Sequence, residues 1–346
     1  MEYVKLGKTG MDVSKFALGC MGFGDPARHQ HKWTVQLDDA RPIVKRALEL
    51  GINYFDTADY YARGSSEEII GQCLKEMGRR DEYVLQTKVC SPMREGPNGR
   101  GGSRKHLMES IDASLKRLQQ DYVDVYMLHR WDDDTPIEET MEAFNDIVRS
   151  GKALYIGCST MKTWQFQKAV NICERNGWAK PIVMQCHYNL IYREEENEMI
   201  PFCKDAGIAI GPYSSLAGGV LTHPFGDTPN KRSQIDPALT LKYGGTKDID
   251  KPVIDRVEEL ANRYGVKMST IALAWHFAKG SIPMAGAEKV ELLDDYVKAV
   301  DLKLTAEDVA YLEEPYQYHP SSIQTTTQRA RNRRRFSESS RVEKGV

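Results

Sequence analysis

Residues 51–71 read GINYFDTADYYARGSSEEIIG. Ile52 and the pair Tyr54-Phe55 begin as a buried strand, and the chain then meets Asp56, Asp59 and the doublet Tyr60-Tyr61. From Ser66 to Met77 the stretch reads as a helix. A strand that leaves an apolar core through a carboxylate and a phenol is either ending at a turn or entering an active site. The rest of the chain decides between the two.

The same strand-then-helix unit recurs along the sequence. Apolar strand candidates are FALG (16–19), INYFD, YVLQTK, VDVYMLH, ALYIGCS, IVMQCH, IAIGPYS and SIPMAG, ending at Gly286. Helical candidates lie between them: 37–50, 66–77, 104–118, 137–149, 164–175, 195–206 and 253–278 with a break at Tyr264-Gly265. A last pair, 291–300 and 306–312, follows the eighth strand. Ile137, Met141, Phe144, Ile147 and Val148 fall on one face at three- and four-residue spacing. Thr135 before Pro136, Ser103 before Arg104, and Thr305 with Asp308 three residues on read as helix starts. Alternating units of this kind build an α/β fold, and eight of them close a (β/α)8 TIM barrel, where a doubly wound sheet usually has fewer strands. The leading YVKLGKTGMDVSKF carries Gly-bearing hairpin punctuation and is expected to plug the barrel bottom. Residues 1–320 then form one barrel domain, and 321–346 a basic tail.

In such barrels the active site lies where the strands finish. Strand two ends at Asp56, strand three at Lys88, strand four at His129, and Tyr61 lies in the loop just beyond Asp56. Each residue alone has an ordinary explanation as a cap, a snorkelling lysine, a core histidine or loop packing. Four on consecutive strands point to chemistry. A free phenol titrates near a pKa of ~10, and a nearby ammonium favours the phenolate. A carboxylate beside a buried lysine keeps that lysine charged. Asp56, Lys88 and Tyr61 therefore read as holder, activator and acid, with His129 placing a carbonyl oxygen against the phenol.

FDTADYY, LQTKV, SRKHLMESIDASLKRLQQDYVDVYMLHRWDDDTPIEETMEAF, GKALYIGCS, VMQCHYNL and PYSSLAGGVLT together resemble the aldo-keto reductase superfamily, most closely its aryl-alcohol-dehydrogenase-like and YajO-like reductases. The resemblance runs from Tyr3 to about Pro320. It implies a (β/α)8 barrel that reduces aldehydes and ketones with NADPH, and a catalytic tetrad of Asp56, Tyr61, Lys88 and His129, with Tyr61 rather than Tyr60 as the acid. By the same resemblance Tyr213 stacks on the nicotinamide, Gln185 and Ser159 bond its carboxamide, and Asp56 and Met21 border the cofactor. Ser214 and Leu216 belong to the loop at the pyrophosphate. Gly286, Ala287, Lys289 and Asp295 fall in the segment that holds the adenosine end. The sequence departs from the family pattern at Thr160, His187, Ser215, Glu288 and Tyr296. Glu288 would repel a 2′-phosphate and Lys289 attract it, so NADH remains the alternative cofactor.

A formal net charge of −2 and a pI near 6.5 argue against a general nucleic-acid binder. No apolar run approaches the roughly 20 residues that span a bilayer, and the N-terminus lacks the apolar stretch of a secretory signal. Seven scattered cysteines without a CxxC pair suit a reducing, cytoplasmic compartment. The partner expected is a small carbonyl substrate, with a homo-oligomer left open.

The loops 23–33, 92–102, Arg130-Trp131 and 222–250 are candidates to shape the pocket, with Trp33 and Trp131 as a wall suited to aryl aldehydes. His29 and His31 form an HxH pair of the kind found in metal hydrolases, but the other strand ends lack the remaining ligands, so no metal is expected. QRARNRRRF near the C-terminus reads as a solvated extension. A rival from another class is a nicotinamide-binding regulatory subunit, as in potassium-channel β subunits, with little turnover.

Overall fold

The structure, a computed structural model, describes residues 1–28, 31–227, 229 and 231–322. Two short strands, β1 (Tyr3–Lys5) and β2 (Asp12–Ser14), pair antiparallel as the expected hairpin. Eight parallel strands follow: β3 (Ala17–Gly19), β4 (Tyr54–Asp56), β5 (Val84–Val89), β6 (Val123–Leu128), β7 (Ala153–Ser159), β8 (Pro181–Gln185), β9 (Ala209–Ile210) and β10 (Met284–Ala285). They form one sheet in the order β10-β3-β4-β5-β6-β7-β8-β9. The sheet is curled, and the Ile282 and Met284 amides donate to the Ile210 and Pro212 carbonyls, both at 2.9 Å.

Among the described residues the helices are α1 (Leu37–Glu49), α2 (Ser65–Met77), α3 (Arg104–Leu118), α4 (Ile137–Arg149), α5 (Thr163–Asn176), α6 (Met199–Ala206), α7 (Lys231–Ile235), α8 (Pro237–Tyr243), α9 (Lys247–Tyr264), α10 (Met268–Ala278), α11 (Val290–Asp301) and α12 (Ala306–Glu313). The periodicity placed most of them within a residue or two. Ser103 caps α3 by accepting from the His106 amide, and Thr305 and Asp308 form a capping box on α12.

Three readings need correction. Thr135 is not the cap of α4: its hydroxyl donates to Asp132 at 2.7 Å, and Pro136 occupies the cap position. The helix read from residue 195 starts at Met199, because Glu194–Glu196 form a separate 3-10 turn. The segment read as the loop 222–250 contains α7, α8 and the start of α9. Helices as short as α7 and α8 are too short to nucleate alone, so packing holds them rather than any pattern in their sequence. Tyr243, at the end of α8, is buried and bonded to His187 and Asn189.

Strand alternation sorts the side chains into two sets. Odd-facing residues such as Phe55, Leu85, Tyr126 and Leu128 join the large core between strands and helices. Their neighbours Tyr54, Val84, Val125, Met127, Val183 and Met284 pack inside the curl, together with Leu6 and Val13 of the hairpin. The hairpin therefore seats its apolar side chains in the end of the sheet where the strands begin, and the Lys8 amide bonds Gly207 there at 3.0 Å. Two residues further along β4, β5 and β8 the inward-facing side chains turn polar: Asp56, Gln86, Lys88 and Gln185.

Candidate active site

Strand register brings the acid and the lysine together. Asp56 pairs with Gln86 across β4 and β5, and Lys88 lies two residues on, pointing the same way. The chain beyond β4 stays tied to β5, since the Thr57 and Asp59 amides donate to the Gln86 and Lys88 carbonyls. It then turns sharply: Ala62, Arg63 and Gly64 all have left-handed backbone, with φ of 46°, 52° and 90°. Left-handed backbone costs an L-residue energy, and consecutive instances persist only where packing determines them. Here a side chain at Gly24 would place its Cβ 2.4 Å from the Ala62 Cβ, so the strand-one loop can close on this turn only as glycine. Ser65 holds the turn further, donating to the Ala62 carbonyl at 3.0 Å and accepting from the Asp25 amide at 2.8 Å. Below it, buried Glu67 accepts from Arg117 at 2.6 Å and Thr87 at 2.5 Å. The product of this anchoring is the position of Tyr61.

Lys88 is fully buried. Its ammonium has three N–H donors, and three acceptors surround it: Asp56 Oδ1 at 2.7 Å, the Thr57 carbonyl at 2.7 Å and Tyr61 Oη at 3.2 Å. Tyr61 Oη accepts from Lys88, which leaves its own O–H free to donate. The His129 ring meets the Tyr61 ring edge to face, with centroids 5.8 Å apart, and its backbone amide is tied to Val89 at 2.8 Å. The structure thus brings together all four residues singled out at the strand ends.

The electrostatics differ from the simple expectation. Burial raises the Tyr61 pKa above that of a free phenol, and the Lys88 charge pulls it back only in part. Burial acts on Lys88 in the opposite sense, but Asp56 and then Tyr61 overcome it and leave the ammonium more basic than usual. Lys88 therefore stays charged, and Tyr61 stays a protonated donor over the neutral range.

The residues that the resemblance assigns to a nicotinamide cofactor lie at and beyond the strand ends. Ser159 and Gln185 are buried at the ends of β7 and β8. Gln185 donates to Asp56 Oδ1 at 3.1 Å, which joins it to the Lys88 cluster. Thr160, in left-handed backbone, bonds the Ser159 hydroxyl at 3.0 Å and the Tyr213 phenol. Tyr213 stacks on buried His187 at 5.4 Å, and His187 stacks on Tyr192 at 4.1 Å. Tyr213, His187 and Tyr192 thus form one continuous aromatic stack. The His187 ring also bonds Tyr243 and Ser322, each at 2.8 Å, so α8 and the end of the described chain both buttress it. Met21 lies half-buried in the turn after β3, and Leu216 is buried beyond Ser214. Gly286 accepts from the Tyr296 phenol at 3.0 Å, Ala287 is buried, and Lys289 is exposed at the start of α11. Asp295 is turned toward Lys298 on its own helix, at 2.8 Å.

Sequence reasoning missed two cations that α7 and α8 deliver to this region. Lys242 donates to the Ser214 hydroxyl at 3.2 Å and lies 4.7 Å from the centre of the Tyr213 ring. Arg232 covers Trp33 at 4.3 Å and lowers the pKa of Glu288, which burial raises. Trp33 thus packs between Arg232 and His31. Trp131 packs on Trp164, 5.7 Å between centroids, and Trp164 is 58% exposed. The only advance signal for Trp164 was an apolar residue at the start of a helix on the strand-end side.

The remaining residues named from the sequence are placed as follows. All seven cysteines are free and buried. His29 lies outside the described residues, while His31 packs on Trp33 at 5.5 Å and lies 3.8 Å from Asp236. Among the described residues there is no group of three or more potential metal ligands, and no helix is long and apolar enough to cross a membrane. The basic tail beyond Ser322 lies outside the described residues.

The loop that carries Tyr213 is pinned from behind by buried His276. Its Nε2 donates to the Ser215 carbonyl at 3.1 Å, and the Ser215 hydroxyl donates to the Met284 carbonyl at 2.7 Å. Burial lowers the His276 pKa to about 3. The unfolded chain takes up a proton near a pKa of ~6.5 and the folded one does not, so stability falls as the pH drops from there toward 3. Between pH 7 and 4.5 this one residue should remove about 2 kcal/mol. Urea unfolding at the two pH values, for the wild type and His276→Gln, checks this. An unchanged pH dependence in the variant would contradict it.

Comparison with known proteins gives the family. The model of the Aldo/keto reductase family matches residues 15–317. A versiconal hemiacetal acetate reductase of Aspergillus parasiticus is 42% identical over 336 residues, 91% of this chain and 97% of its own. Proteins named as aryl-alcohol dehydrogenases from Schizosaccharomyces pombe and Saccharomyces cerevisiae are also similar. The first is 40% identical over 339 residues, 91% of this chain and 95% of its own. The second is 34% identical over 337 residues, with shares of 91% and 97%. With strands, cluster and relatives in accord, the chain belongs to the aldo/keto reductase family, in its aryl-alcohol-dehydrogenase-like branch.

Proposed function

We propose that this protein is an NADPH-dependent reductase of aldehyde or ketone carbonyls, with Tyr61 as general acid. One observation carries the reading: the Lys88 ammonium, held by Asp56 at 2.7 Å, lies 3.2 Å from Tyr61 Oη, and the Tyr61 ring meets His129 edge to face. A bound nicotinamide would supply the hydride. The chain's residues do the rest. His129 orients the carbonyl oxygen, Tyr61 donates the proton to that oxygen as it gains charge, and Lys88 stabilises the phenolate left behind.

The platform of Tyr213 on His187, with Ser159 and Gln185 beside it, fits a nicotinamide and its carboxamide. Arg232 and Lys289 near Glu288 favour the additional phosphate of NADPH over NADH. The two backbone bonds between the sheet's ends support a closed barrel, and residues 1–320 are read as that one domain. Free, buried cysteines support a cytoplasmic location.

Trp131 and Trp164 support an aromatic substrate, in keeping with relatives named for aryl alcohols. The test follows the loss of NADPH absorbance with aryl aldehydes, alkyl aldehydes, ketones and quinones. Turnover is expected, fastest with the aryl aldehydes, and tight NADPH binding without turnover on any of them would overturn the reading. Trp131→Ala should raise KM for aryl aldehydes by about tenfold while leaving alkyl aldehydes nearly unchanged, as the loss of one aromatic contact implies. Equal changes for both classes would remove the aromatic subsite.

A further inference from the structure

Asp56 Oδ1 accepts more than the lysine. The Gln86 side-chain amide donates to the same oxygen at 2.5 Å, and the Gln86 carbonyl oxygen in turn accepts from the Tyr54 phenol at 2.5 Å. Tyr54, Gln86 and Lys88 are fully buried and Asp56 is nearly so, so water does not replace these bonds. The chemistry of the partners sets the orientation of the amide. An ionised carboxylate only accepts, so the NH2 must face Asp56, and the oxygen is left for the phenol, which must donate. Burial and the Asp56 charge raise the Tyr54 pKa well above that of a free phenol, which keeps it a donor.

We propose that Gln86, oriented by Tyr54, is a positioning residue for the acid chemistry: its amide dipole, acting through Asp56 and Lys88, sets how readily Tyr61 releases its proton. The positive end of the amide points into a dry site and adds favourable potential for negative charge at Asp56 and Tyr61. It also holds the carboxylate on the oxygen that Lys88 uses. Without it, the carboxylate's field on Tyr61 is no longer offset and the phenol becomes a weaker acid. Register makes this possible, since Asp56 and Gln86 are direct neighbours on β4 and β5. The inference rests on the reading of Tyr61 as the acid.

The test uses the full chain with Gln86→Met and Tyr54→Phe, and Tyr61→Phe as reference. Two quantities are read: the pH profile of kcat/KM for an aryl aldehyde, and the titration of the Tyr61 ring carbon by NMR in cofactor-free protein labelled on tyrosine. The Tyr61→Phe spectrum identifies the resonance among the 17 tyrosines. Gln86→Met should move both titrations upward by about one pH unit, with kcat down about tenfold. Tyr54→Phe should shift them the same way by less. Folded variants whose titrations coincide with the wild type overturn the proposal, whatever their melting temperatures. Should Gln86→Met not fold, Tyr54→Phe decides by the same criterion. A Tyr61→Phe enzyme that still reduces carbonyls overturns the acid assignment and the inference with it. An inactive Tyr61→Phe with unmoved Gln86 and Tyr54 variants overturns the inference alone.

Discussion

Tyr61→Phe is expected to lower carbonyl reduction by about a thousandfold, the middle of the range for losing a general acid. Only one oxygen is deleted. The ring keeps its edge-to-face contact with His129, and Lys88 keeps Asp56 and the Thr57 carbonyl as acceptors. The left-handed turn from Ala62 to Gly64 is set by Gly24 and Ser65 rather than by the phenol, so the loop should hold its shape. NADPH affinity, measured by fluorescence titration, should stay within about twofold, because the deleted group contributes to charge developing at the substrate oxygen rather than to ground-state binding. A variant retaining more than a tenth of wild-type kcat/KM would show that another group donates the proton.

Lys88→Met should be inactive and also markedly less stable, by about 3–5 kcal/mol, the usual effect of removing one member of a buried ion pair. The Asp56 carboxylate would remain in the interior with only the Gln86 and Gln185 amides on it. Two neutral donors do not replace a charge in a site without water. The double variant Asp56→Asn, Lys88→Met removes the stranded charge and should recover most of the stability while staying inactive. Urea unfolding reads the first effect and NADPH turnover the second. If Lys88→Met unfolds at the wild-type urea midpoint, Lys88 and Asp56 are not coupled as described.

What the sequence made legible follows from where its information is local. Alternating strands and amphipathic helices gave the architecture, because each unit carries its own period. The cluster of Asp56, Lys88, His129 and Tyr61 was legible because parallel strands end on one side, so their last polar residues must meet. Trp33 and Trp164 were not separable by such reasoning. Trp164 packs on Trp131, while Trp33 is covered by Arg232 of α7, a helix with no period of its own. The direction of the Tyr61 shift was also hidden. It depends on how completely the site excludes water, and burial there outweighs the lysine that the sequence displays. Gln86 and Tyr54 lie inside the curl on strands that otherwise read as ordinary β segments, so nothing in their own spacing marked them.

The pairing of β3 with β10 joins Ala17 to Met284 across most of the polypeptide. During synthesis the first strand therefore waits, with its outer edge unpaired, until the last has left the ribosome. Contacts so distant along the chain form late and slowly, and open strand edges meanwhile invite pairing with other chains. Nascent copies of this protein should accordingly depend on chaperones until β10, about five sixths of the way along the chain, has emerged.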